Sequence, residues 1–348
     1  MKYWNEIGKK LRPFVDKKLN TTVLDLFAGC GGLSLGFEAL GFETIGYEMD
    51  EFATQTYNAN LNGTCYCEKL SIETEYPNAE VIIGGPPCQP FSVGGKQLGL
   101  KDSRDGFPIF IEAVKQLDPK VFLFENVRGM LYKNKWYLIE AIEALQELGY
   151  EISYALLNAK HYEVPQNRER VIVIGAKTKI NLPRRVDRKI TAGDALGKLA
   201  FQFDENSKFF TKSMDAYVAK YEKASKCINP RDLYLDRPAR TLTCRNLAGA
   251  TGDMHRVRLK DGRRRRITVR EAARLQSFPD WFKFKGPETK QYNQIGNAVA
   301  PNFAYHLALS IKNYLQGNQV EQYSLDGTDQ LSLFENEGVY QKRQVQRQ

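Results

Sequence analysis

Regular patterning begins at residues 22–27, TVLDLF, a short apolar and β-branched run that stops at Ala28-Gly29-Cys30-Gly31-Gly32. A helical spacing of apolar positions follows over 33–40 and is closed by Gly41. Further strand-length runs lie at 44–47, 81–83, 121–124, 150–157 and 170–174, and helical patterns at 51–60, 109–117 and 136–148. Strands alternating with helices predict an α/β fold built on a doubly wound, mostly parallel, Rossmann-like sheet. The character changes at Lys179: from there to Gly286 the chain is rich in Arg, Asp and Pro and has no clean period, which predicts a smaller irregular domain. A helical run over 303–315, entered through Pro301, predicts a return to the first domain, and the polar stretch from 317 reads as a flexible tail. The expected partition is 1–178, 179–286, 287–316 and 317–348.

Composition narrows the class. No apolar run approaches the ~18 residues a membrane span needs, and MKYWNEIGKK has no apolar stretch after its lysines, so neither span nor secretory signal is expected. The cysteines (30, 65, 67, 88, 227 and 244) form no C-x-x-C pair and the three histidines are scattered, so no metal site is expected. Free thiols in a chain this long fit a reducing compartment, and a cytoplasmic, nucleoid-associated location is expected. The net charge of +9 is unevenly spread: residues 179–286 carry 26 Lys+Arg against 12 Asp+Glu, and the rest 24 against 29. A basic module on a mildly acidic body is the footprint of a nucleic-acid binder, although a solvated basic face without a partner has the same composition.

Candidate chemistry collects at the ends of the predicted strands. The glycine turn after the first strand lets a ligand approach the backbone, and Glu48, 19 residues after Gly29, ends the second strand, where a carboxylate can bind ribose hydroxyls. A tight structural turn beside a surface Glu is the alternative. Gly84-Gly85-Pro86-Pro87-Cys88-Gln89-Pro90 places a cysteine in a proline-stiffened loop past a strand, a setting for a reactive thiol rather than a core one. Glu125 ends the strand at 121–124, where it could also serve as a helix N-cap. Arg168 and Arg170, in Gln166-Asn167-Arg168-Glu169-Arg170, precede another strand, where they could instead form a surface ladder with Glu169. Cysteine, glutamate and arginines around one crevice suit attack on an electron-poor ring.

In this order, DLFAGCGGLSLGFEALG, GGPPCQPFS, ENVRGM, QNRERVIVIG, REAARLQSFPDWF and QIGNAVAP resemble the cytosine-5 DNA methyltransferase family, over about 22–175 and 268–315. The resemblance implies a class I S-adenosylmethionine-dependent fold with a target-recognition domain where the positive charge lies. It implies attack by Cys88 on carbon 6 of a flipped cytosine, Glu125 on ring nitrogen 3 and the amino group, Arg170 on the carbonyl oxygen, and Arg168 helping to hold the nucleophile loop and base. For S-adenosylmethionine it points to Phe27, Gly29, Gly31, Gly32, Glu48, Met49, Ile72, Pro87 and Asn297. Two departures stand out. Ser71-Ile72 occupies the place of the family's Asp-Ile pair, which removes the expected acidic contact to adenine. The family's Gly-x-x-Asp-x-Arg-Gly segment is altered around Lys101-Asp102-Ser103-Arg104-Asp105-Gly106, where one extra residue sits.

Arg237-Pro238-Ala239-Arg240-Thr241-Leu242-Thr243 resembles the family's recognition motif, which implies that Arg240, Thr241, Thr243 and Arg245 approach double-stranded DNA. Arg263, Arg264, Arg265 and Arg266 in succession are expected to grip phosphates, a solvated charge run being the alternative. Gln330, Leu331, Leu333 and Phe334 resemble a short sliding-clamp-binding peptide, with a frayed end as the alternative. A monomer belonging to a restriction–modification system is expected. Three rivals meet specific residues: an amino-methylating enzyme would not carry Cys88 in this loop. A transfer-RNA methyltransferase of the same family would carry a Cys-Phe-Thr motif, absent here. A non-catalytic DNA binder would have lost Cys88 or Glu125.

Overall fold

The alternation is realised as α1 (Tyr3–Lys10), β1 (Thr22–Leu26), α2 (Gly32–Glu38), β2 (Glu43–Glu48), α3 (Glu51–Asn60), β3 (Thr64–Cys67), β4 (Val81–Gly84), α4 (Gly106–Leu117), β5 (Val121–Val127), α5 (Lys135–Glu147), β6 (Glu151–Asn158), β7 (Gln166–Asn167) and β8 (Glu169–Ala176). The structure, a computed structural model, describes residues 2–13, 19–87, 106–132, 134–224, 231–249 and 252–318. Cys88, the segment from Lys101 to Asp105, and Gln330, Leu331, Leu333 and Phe334 lie outside the described residues.

Seven strands form one sheet in the order β3-β2-β1-β4-β5-β8-β6. From β3 to β5 all pairings are parallel, and β8 runs antiparallel to both β5 and β6. The chain winds outward from β1 through β2 to β3, then restarts at β4 and winds the other way, so the strand order reverses between β1 and β4. Ligands of open α/β sheets bind at the carboxyl ends of strands at such a reversal. Because β8 is antiparallel, its amino end, with Glu169 and Arg170, lies at that same edge.

Alternation along the strands divides the core into two layers. Val23, Val81, Ile83, Val121 and Leu123 pack under Leu33 and Phe37 of α2 and the C-terminal helix residues Phe303, Leu307 and Ile311. Leu24, Leu26, Ile82, Phe122 and Phe124 face Phe107 and Phe110 of α4 and Leu138 and Ile142 of α5. Strands covered on both faces read as unbroken apolar runs, which is why they were visible in the sequence.

The rest comprises α6 (Ala192–Leu196), α7 (Lys212–Ala224), β9 (Ala239–Arg240), β10 (Arg256–Arg258), β11 (Arg264–Arg266), α8 (Val269–Leu275), α9 (Glu288–Asn297) and α10 (Pro301–Leu315). β7 pairs with β9, and β10 with β11 as an antiparallel ribbon. A third apolar cluster joins Tyr3, Ile7 and Leu11 to Ile190, Leu196, Ala273 and Phe282, so the amino-terminal helix is built into the core. Among the described residues, no helix is long and apolar enough to cross a membrane, and no group of three His, Cys, Asp or Glu could hold a metal ion.

Candidate active site

The turn after β1 is left-handed at Phe27 (φ 61°), Gly29 (φ 56°) and Gly31 (φ 84°). Nothing lies within 4 Å of the place a Cβ on Gly29 would occupy, so the backbone there faces open space. The Gly29 N–H donates to Glu48 Oε2 (2.9 Å) and the Asp50 N–H to Oε1 (2.8 Å). Two backbone donors thus fix the Glu48 carboxylate while half of its acceptor capacity stays available. After β2 and β3, at the same edge, Met49 and Ile72 are 71% and 61% exposed. Uncovered apolar side chains beside a fixed carboxylate and an open glycine turn suit a nucleoside: ribose on Glu48, base against Met49 and Ile72. Ser71 serves its own turn, its N–H donating to Thr74 Oγ1 and its Oγ accepting from Glu73 N. Gly32 is tightly packed, since a Cβ there would stand 2.4 Å from the Val299 carbonyl oxygen, and the Asn297 Oδ1 accepts from the Cys244 thiol at 2.8 Å.

β4 delivers Gly85-Pro86-Pro87 at the adjoining position. The Asn126 amide donates to the Pro86 carbonyl (2.9 Å), and the Gly106 N–H donates to the Pro87 carbonyl (3.1 Å). Gly106 also admits close approach, because a Cβ there would stand 2.4 Å from Pro87 Cδ. The neck of the 88–105 segment is therefore closed by hydrogen bonds on both sides. Asn126, within ENVRGM, and Gly106, at the end of the altered 101–106 segment, were given no role of their own from the sequence.

β5 continues through Glu125 to Val127, so Glu125 is a strand residue and not a helix cap. Its Oε1 accepts from Arg170 Nε at 2.6 Å, with side chains 10% and 11% exposed. Its Oε2 lies 3.9 Å from where a Cβ on Gly85 would stand, on the side of the Pro86-Pro87 neck. The β5–β8 register sets Val127 opposite Arg170. Glu169 does not form a ladder with Arg168 and Arg170: its carboxylate pairs with Arg128 at 2.6 Å.

Arg168 is anchored among backbone carbonyls. It is 2% exposed, and its guanidinium donates to the carbonyls of Leu242 (2.8 Å), Gly296 (3.2 Å) and Ala298 (3.0 Å). Burial pushes its pKa down to about 9, and the Arg170 charge acts in the same direction. Its described contacts tie the QNRER segment to Leu242 and to the end of α9. Gln166 works beside it, accepting from Leu242 N at 2.9 Å, while Thr241 Oγ1 donates to the Asn167 carbonyl at 2.7 Å.

The expected phosphate grip is corrected at three of four arginines. Arg265 is 1% exposed and forms a bidentate pair with Glu271, which is 0% exposed, both bonds at 2.7 Å. Arg264 pairs with Asp215 and Asp232, and Arg266 donates to the Leu247 carbonyl and lies 4.4 Å over the Tyr292 ring. The β11 strand turns Arg265 inward toward Glu271 of the following helix, while acids distant in the chain meet Arg264. Arg263 alone is half exposed, paired with Asp261 and packed over Phe209. Arg240 is tied to Asp253 (3.1 Å), and Arg245 is exposed.

A nucleoside-fitting turn, a buried Glu–Arg pair and a loop neck lie together at the reversal of a doubly wound sheet, an arrangement suited to group transfer. The family model for C-5 cytosine-specific DNA methylase matches residues 21–313. The type II methyltransferase M.AplI of Arthrospira platensis is 54% identical over 319 residues, covering 91% of this chain and 92% of that protein. M.Eco47II of Escherichia coli is 33% identical over 335 residues, 84% and 79% of the two chains. The fold matches a Spodoptera frugiperda DNMT2 mutant at a TM-score of 0.65 and 19% identity, over 84% of this chain and all of that one. The chain belongs to the C-5 cytosine-specific DNA methylase family, as an enzyme of the type II methyltransferase kind whose methyl donor is S-adenosylmethionine.

Proposed function

We propose that this enzyme methylates carbon 5 of a cytosine within a short specific sequence of double-stranded DNA, flipping the base out and attacking its carbon 6 with Cys88. The observation that supports this most directly is the Glu125–Arg170 pair at the neck that leads into Cys88. The Cys88 thiolate adds to carbon 6 and the ring electrons shift to carbon 5. Glu125 hydrogen-bonds nitrogen 3 and the amino group, and Arg170 the carbonyl oxygen, so charge developing on the ring is met by groups already oriented. Bound S-adenosylmethionine supplies an electrophilic methyl group, which the activated carbon 5 takes. Phe27, Gly29, Gly31, Gly32, Glu48, Met49, Ile72, Pro87 and Asn297 hold the donor. Water removes the carbon-5 proton, and departure of Cys88 restores the ring. Asn126 holds the loop neck from behind, and Arg168 holds the recognition motif against the site.

Recognition is assigned to residues 179–286, with Thr241, Thr243 and Arg245 at the groove and Arg263 on the backbone. The molecule acts as a monomer in the cytoplasm, associated with the nucleoid, and protects host DNA within a restriction–modification system. The tail peptide around Leu333 and Phe334 docks on a sliding clamp, which calorimetry with Leu333→Ala and Phe334→Ala tests. Bisulfite sequencing of DNA from cells expressing the chain tests the main reading. A single protected motif is expected, and uniformly converted DNA would refute it.

A further inference from the structure

The surface just outside the Glu125 pocket has an organisation that base chemistry does not use. Glu125 and Val127 alternate on β5 and share a face, yet Glu125 is 8% exposed and Val127 46%. The strand thus climbs from the pocket to its rim in two residues, and Val127 stands opposite Arg170. Next comes Arg128, opening a single 3-10 turn, Arg128–Leu131, with a side chain 51% exposed. Its Nε and one terminal nitrogen donate to the Tyr132 hydroxyl (3.0 and 2.6 Å), and its charge lies 5.4 Å from that ring. Its other terminal nitrogen donates to Glu169 Oε2 at 2.6 Å. Tyr132 is itself 58% exposed.

We propose that Arg128 is a phosphate contact to the DNA strand carrying the target cytosine, and that Glu169 is its stand-in partner until DNA arrives. This rests on the DNA-methylating reading above. At about 3.3 Å per strand residue, Arg128 lies at most roughly 10 Å along the chain from Glu125, on the rim of the same pocket. Tyr132 aims the guanidinium without neutralising it. Glu169 neutralises it, but as an exposed pair of the kind that contributes little, so a phosphate with its released counterions can displace the carboxylate. Glu169 is then freed toward solvent, while its backbone carbonyl still accepts from Arg170 at 2.7 Å.

The latch predicts opposite signs for its two halves. Fluorescence anisotropy is read on a duplex carrying the motif mapped by bisulfite sequencing, across a salt series, with melting curves to establish that each variant is folded. Arg128→Ala is expected to weaken binding up to about tenfold and to lower the slope of log affinity against log salt by about 1. Glu169→Gln is expected to tighten binding, because Arg128 is then unpaired before DNA arrives. Lys115→Ala, near the end of α4 at the opposite edge of the sheet, is expected to leave the slope unchanged. An unchanged slope in Arg128→Ala, or binding weakened by Glu169→Gln, overturns the proposal. If the wild-type enzyme marks no motif and binds no duplex, it is the underlying reading that fails.

Discussion

Replacing Arg265 by alanine separates a structural arginine from a DNA-gripping one. Glu271 is 0% exposed, and Arg265 supplies two of its hydrogen bonds at 2.7 Å. Breaking a buried pair from one side costs about 3–5 kcal/mol, because the remaining charge is stranded. Glu271 would keep the Thr268 N–H (2.8 Å) and hydroxyl (3.1 Å), which puts the loss near the lower end. At about 2–4 °C per kcal/mol for cooperative units of 150–250 residues, 3 kcal/mol lowers the melting point by roughly 6–12 °C. Urea unfolding should show the same loss as a lower midpoint, and adding Glu271→Gln should recover part of it by removing the stranded charge. The salt slope of DNA binding should not change. An Arg265→Ala protein that unfolds with wild-type behaviour but loses one unit of salt slope would refute the reasoning and restore the phosphate reading.

Asp25, buried beneath the glycine turn and accepting from Ser34 Oγ at 2.6 Å, has its pKa pushed up to about 7 by burial. Its folded-state value exceeds the unfolded one, so the native state binds the extra proton and stability falls as pH rises from about 4 to 7. Asp25→Asn should flatten that part of the melting-point profile, and an unchanged profile would contradict the assignment. Asn126→Ala removes the bond to the Pro86 carbonyl. It should slow methyl transfer by about 10- to 100-fold, the effect of a lost buried hydrogen bond of ~1.4–2.8 kcal/mol, with little change in DNA affinity. Single-turnover kinetics at wild-type speed would remove Asn126 from the neck.

What could be read in the chain follows from which interactions are local. The stretch 121–124 of β5 is covered on both faces, so its apolar run announced it, and the rule about carboxyl ends brought Glu48, Pro87 and Glu125 to one edge. Arg170 arrives there only because β8 is antiparallel, an orientation that no residue in QNRER encodes. The arginine run misled for a related reason. A charge run and a β-strand with an inward arginine look alike until Asp232 and Asp215, distant in the chain, and Glu271, on the helix that follows, are seen to meet it. α1 was missed because its buried side, Tyr3 and Ile7, is only two residues wide. α7 was missed because Val218 alone is buried along 13 residues.

The central claim is a bond between sulfur and base. A duplex carrying the mapped motif with 5-fluorocytosine at the target, incubated with the enzyme and S-adenosylmethionine, blocks the final proton loss and should trap a covalent complex that survives denaturing gel electrophoresis. The account predicts that this complex forms with the wild-type protein and is absent with Cys88→Ser. A complex of equal yield in Cys88→Ser, or methylation of ordinary duplex by that variant, would contradict it.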